Sequence, residues 1–132
     1  MTVRRASCSC GQLVVTCSGE PVRVSMCHCL ACQRRTGSAF GIQARFARDQ
    51  VSMEGRASQY ARTGDSGGHI TLAFCPICGS TVYWEIDTIP GFVAVAVGAF
   101  ADREFPPPQV SVYDERRYPW AVMPELDIEH LE

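Results

Sequence analysis

Along this chain apolar residues rarely recur at the three- and four-residue spacing of an amphipathic helix; short β-rich runs bounded by turn residues follow one another instead. The runs predict strands at "QLVVTC" (12–17), "PVRVSM" (21–26), "FGIQARF" (40–46), "ASQYAR" (57–62), "HITLAF" (69–74), "TVYWEI" (81–86), "FVAVAVGAF" (92–100) and "QVSVYD" (109–114). Turn material separates them: Ser18-Gly19-Glu20-Pro21, the Thr63 to Gly68 segment, and Pro90-Gly91. The Pro106-Pro107-Pro108 run lacks the amide donors that a central strand needs. A short helix is expected only near 30–36, with a turn around 119–123. The pattern predicts a mainly β protein with little helix.

Composition narrows the class. A length of 132 residues predicts a single domain over 1–132, and 46% hydrophobic with 20% charged residues is the balance of a globular chain, not of a disordered one. The longest apolar stretch, residues 92–100, is far below the roughly 20 residues of a membrane-spanning helix. Met-Thr-Val-Arg-Arg leads into no signal-like apolar region, so the expected location is the cytoplasm and no membrane partner is expected. Twelve basic and fourteen acidic residues give a formal charge of -2 with no basic stripe, which argues against a nucleic-acid partner. The terminal Leu131-Glu132 pair reads as a cloning remnant and is set aside.

Eight cysteines change the picture. Seven fall into tight groups, Cys8-Ser-Cys10, Cys27-His-Cys29-Leu-Ala-Cys32 and Cys75-Pro-Ile-Cys78. Thiols two or three positions apart are poorly placed to pair with each other and well placed to grip one ion. A reducing compartment favours metal over disulfides. The groups fall at expected strand ends, with Gly79 giving the last one its backbone freedom, so metal there would tie sheets together.

A closed structural zinc has four protein ligands and a reactive one has three plus a vacancy. The simplest division therefore gives Cys8, Cys10, Cys75 and Cys78 one ion and Cys27, Cys29 and Cys32 another. Two alternatives stay open: Cys75 and Cys78 closing the middle group, or His28 serving as a fourth ligand. Adjacent side chains in extended backbone point to opposite sides, which disfavours His28 as a ligand and leaves it as a hydrogen-bonded surface residue. Cys17 stands alone and reads as a buried small apolar residue.

The pieces "CSCG" (8–11), "CHCLACQRRTGSAF" (27–40), "FCPICGSTVYW" (74–84), "GFVAVAVGAF" (91–100) and "YPW" (118–120) resemble the glutathione-dependent formaldehyde-activating enzyme family, which includes the centromere protein V relatives. The resemblance implies several small twisted antiparallel sheets braced by zinc, a β-tent-like fold shared with Rab-binding exchange chaperones and B-type methionine sulfoxide reductases. It also implies two zinc ions per chain, a structural one on Cys8, Cys10, Cys75 and Cys78 and a catalytic one on Cys27, Cys29 and Cys32. The implied reaction is condensation of glutathione with formaldehyde to S-hydroxymethylglutathione, classed as a carbon-sulfur lyase. Arg34 and Arg35 are then placed to hold a carboxylate of glutathione, and Gly37 and Ser38 to present backbone amides to it. Trp84, Phe92 and Trp120 are candidates to wall a cavity, against the commoner fate of core packing.

Two rival readings remain at this point. A non-catalytic zinc module that binds a protein would need only the closed site. A methionine-sulfoxide-reductase-like enzyme would need a nucleophilic cysteine late in the chain, and no cysteine follows Cys78.

Overall fold

The computed structural model describes residues 1–131. The elements are β1 (Val3–Ser7), β2 (Val14–Ser18), β3 (Arg23–Cys27), α1 (Leu30–Thr36), β4 (Gly41–Ala47), β5 (Val51–Glu54), β6 (Ser58–Thr63), β7 (His69–Phe74), β8 (Thr81–Ile86), β9 (Phe92–Ala96), β10 (Val110–Val112) and β11 (Glu129–Leu131). The mainly β reading holds, and so does the one short helix.

Three strands were not in the sequence pattern. β1 carries two arginines and buries only Ala6 fully, β5 has four residues, and β11 has three. Leu131, set aside as a remnant, pairs with Val112; Glu132 lies outside the described residues. The expected strand over 92–100 ends at Ala96, because Val97–Phe100 coil into a 3-10 turn and Ala101 is left-handed at φ 49. That turn swings Phe100 into the core, where it stacks on Phe105 with ring centres 4.6 Å apart.

The strands form two sheets, one of three in the order β1-β2-β5 and one of eight in the order β11-β10-β3-β4-β9-β8-β7-β6. Neighbours are antiparallel except around β10, which runs parallel to β3 and to β11. The two faces of the large sheet do different work. One face presents Val24, Ala44, Phe46, Val93 and Val95, which the strand register brings side by side. It packs against Ala6, Val15, Cys17 and Val51 of the small sheet to make the main core. Each of the larger side chains contributes about 1.5–3 kcal/mol by leaving water. Cys17 is fully buried there, as expected of a small apolar residue.

On the other face, period-two alternation aligns Arg23, Ser25 and Cys27 with Arg45, Gln43 and Gly41 across the β3–β4 pair. Beyond them along the sheet come Ala94, then Trp84, then Leu72, each opposite the last. This face carries the second cysteine cluster.

Candidate active site

The four-cysteine corner forms where the two sheets meet. Cys8 and Cys10 lie in the turn between β1 and β2, and Cys75 and Cys78 in the turn between β7 and β8. All four sulfurs lie within 4.8 Å of one another, with Cys8 to Cys10 and Cys10 to Cys75 both at 3.6 Å. Backbone amides point at them: Leu13 N–H donates to Cys8 Sγ at 3.3 Å, and Ile77 and Cys78 N–H donate to Cys75 Sγ at 3.4 and 3.5 Å. Gln12 adds a side-chain donor to Cys75 Sγ at 2.9 Å. The Ser80 amide leads the contacts that push the Cys78 thiol down to about 5. Gly79, at φ 82, permits the turn as the sequence suggests.

The three-cysteine cluster is built from one short stretch. Cys27 ends β3, and Cys29 is the N-cap of α1, its Sγ accepting from Cys32 N–H at 3.3 Å. Gly37 closes the helix in the left-handed region, its N–H bonding to Gln33 O at 2.8 Å. The three sulfurs also lie within 4.8 Å of one another and all three residues are buried. Hydrogen bonds from Cys27 and Cys32 hold the Cys29 thiol well below the usual range, and sharing with Cys29 and Cys32, then burial, drives Cys27 far up. Three thiolates this close repel one another, so holding all three ionised demands positive charge at the centre.

His28 is not the surface residue the sequence suggested. It is 1% exposed, on the face opposite the thiols, with Nε2 3.1 Å from Ser111 Oγ and its ring 5.6 Å from Phe40. Parallel pairing of β10 with β3 puts Ser111 beside Met26 and so behind the cysteines, a long-range contact that the local pattern does not show.

The cluster opens onto a cavity of about 290 Å³ on the inner face of the large sheet. Leu72, Trp84 and Ile86 wall it with apolar surface, and Arg23, Arg35, Arg45 and Arg62 line it with charge. Arg35 lies over the Trp84 ring at 4.5 Å. Gly41 makes room for it: a Cβ there would stand 2.7 Å from Arg35 Nη2. At the rim the β6–β7 hairpin reaches the segment after β10. Asp65 accepts from Arg116 at 2.8 Å, and Ser66 and Tyr113 bond through their hydroxyls.

Of the residues singled out for a carboxylate, Arg35 is in this cavity. Arg34, Gly37 and Ser38 line a separate groove with Tyr118 and Trp120. Of the three aromatics, Trp84 lies at the cavity, Phe92 is half-buried in a shallow neighbouring pocket, and Trp120 is 70% exposed. Arg23, Gln43, Arg45 and Arg62 were missed. The available signal was period-two alternation, which puts Arg23 on the Cys27 side of its strand and pairs Gln43 with Arg45.

Fold and site together define a two-sheet β protein with two preformed thiol clusters suited to metal, one of them at a cavity. The chain belongs to the glutathione-dependent formaldehyde-activating enzyme family, whose sequence model matches residues 3–116. No curated protein matches it. Among solved structures it is similar in fold to a crystal structure of a Rhodobacter sphaeroides protein, at 20% identity and TM-score 0.56 over 72% of this chain and 85% of that one.

Proposed function

We propose that residues 1–132 act as one zinc-binding domain that joins glutathione to formaldehyde, giving S-hydroxymethylglutathione in a carbon-sulfur lyase-type reaction. The observation that carries this reading is the opening of the Cys27/Cys29/Cys32 sulfurs onto a cavity. A merely structural ion would need a fourth ligand there, and the cluster gathers three.

The donor sets fit zinc. Four sulfurs at about 2.3 Å from one tetrahedral ion stand roughly 3.8 Å apart, close to the 3.6 Å of Cys8–Cys10 and Cys10–Cys75. Cys8, Cys10, Cys75 and Cys78 would hold the structural ion and Cys27, Cys29 and Cys32 the catalytic one. When bound by three thiolates, zinc supplies a fourth position that takes a thiol as thiolate at neutral pH, and the complex's negative charge favours thiol transfer over hydrolysis.

The chain's own groups supply the remainder. Leu72, Trp84 and Ile86 keep bulk water from the reacting carbon. Arg35, fixed on Trp84, holds positive charge beside the sulfurs for a substrate carboxylate. Overall one carbon–sulfur bond forms, the carbonyl π bond opens, and the thiol's proton ends on the new hydroxyl.

The expected setting is the reducing cytoplasm, and no described helix is long and apolar enough to cross a membrane. Zinc analysis of the native chain and of Cys29→Ser, alongside turnover above the spontaneous thiol–aldehyde rate, tests the reading. Two zincs falling to one with loss of turnover supports it. A single zinc indifferent to Cys29→Ser points to a non-catalytic binding module.

A further inference from the structure

The cavity holds more positive charge than a small aldehyde needs. Arg23 on β3 stands directly opposite Arg45 on β4. Like charges facing each other across a strand pair destabilise a sheet. Burial, then the Arg23 charge, holds the Arg45 guanidinium below its usual range. Arg23 Nε is buried without a hydrogen-bond partner. Among the described residues neither arginine reaches a carboxylate; the ion pairs involve other side chains. Asp65, the carboxylate at the cavity, already accepts from Arg116. A fold that keeps two unpaired guanidiniums side by side at a cavity is built to receive an anion.

Their distance from the cysteines fixes what kind. Arg23 lies four residues from Cys27 on the same face of β3, which is roughly 13 Å along the strand. That span is on the order of three to four extended residues, about 10–14 Å. Gln43, one step nearer the sulfurs, sits opposite Ser25 and lines the same cavity, so its amide lies on the path between them.

We propose that Arg23 and Arg45, with Gln43, form a carboxylate subsite that grips the far end of a peptide-like thiol whose sulfur lies at Cys27, Cys29 and Cys32. This rests on the reading of the cysteine cluster as a thiol site and adds its selectivity. Anionic thiols of tripeptide length are bound, and short thiols without a carboxylate are not. The paired guanidiniums offer the two-pronged donor geometry that a carboxylate accepts.

The test uses a ligand pair that cannot react, S-methylglutathione and its dimethyl ester, titrated calorimetrically into the zinc-replete full chain. The acid is expected to bind at least about tenfold more tightly than the ester, the scale of one good charge-assisted pair. In Arg45→Met that preference should fall to within about twofold, while Arg45→Lys retains part of it. Circular dichroism shows whether each variant is folded. Equal binding of acid and ester by the native chain overturns the subsite, and so does a folded Arg45→Met that keeps the preference. If the methionine variant does not fold, the native ligand pair and the lysine variant decide. Failure of the thiol-site reading looks different: Cys29→Ser would keep its turnover while the acid preference stayed intact.

Discussion

The two thiol clusters use the same ligand at opposite topological settings. The four-cysteine corner joins residues 65 apart in sequence at its Cys10–Cys75 contact and ties the small sheet to the large one. The three-cysteine cluster closes a loop of only a few residues within one strand–helix junction. Treated as cross-links, the first removes about 4 kcal/mol of loop entropy from the unfolded chain and the second about 2. The corner has backbone amides and a glutamine aimed at its sulfurs. The local cluster has one amide donor and a cavity. Under the proposed metal loading, the corner that closes the long loop would serve the fold, and the cluster that closes the short one would be left free to serve a ligand.

The harshest way to break this contrast is to remove a corner ligand. Cys75→Ser or Cys78→Ser should abolish the cooperative thermal transition seen by circular dichroism. Structural zinc contributes about 10–16 kcal/mol in small domains, against a total stability of about 5–15. Cys29→Ser should cut turnover above the spontaneous rate by at least about 100-fold, as expected when a reacting group's metal is lost. Its melting temperature should fall by no more than about 7 °C, the equivalent of the about 2 kcal/mol that closing the short loop is worth. A collapse of the fold in Cys29→Ser would merge the two clusters into one structural role.

Smaller effects probe what surrounds the local cluster. Ser111→Ala strips His28 Nε2 of its hydroxyl partner and should cost about 1–3 kcal/mol in a denaturant melt. Gly41→Ala should push Arg35 off Trp84, losing about 0.5–2 kcal/mol of cation–π contact. It should show as a several-fold rise in KM for glutathione with kcat nearly unchanged.

Much of this was legible in the sequence because its signals are local. The β7 and β8 ranges and the helix at 30–36 coincide with the apolar runs, and the cysteine spacings announce both clusters. What escaped is what register and long-range pairing create. β1 has too little apolar surface to show a period, and β11 is held by a parallel partner across a long excursion. Residues 97–100 are as apolar as a strand, yet Phe100 is needed in the core and bends the chain. Arg23, Arg45 and Arg62 lie on three strands and converge only when the sheet folds over them. A hydrogen-bonded His28 was foreseeable, its burial against Ser111 was not.

The contact between the β6–β7 hairpin and the segment after β10 joins strands from opposite ends of the eight-strand order. The sheet thus meets itself along a polar seam instead of being roofed by a separate flap. Exposed ion pairs of this kind are worth about 0–1 kcal/mol, so the seam costs little to part. Both contacts across it are between side chains, so opening it would require no refolding of the walls.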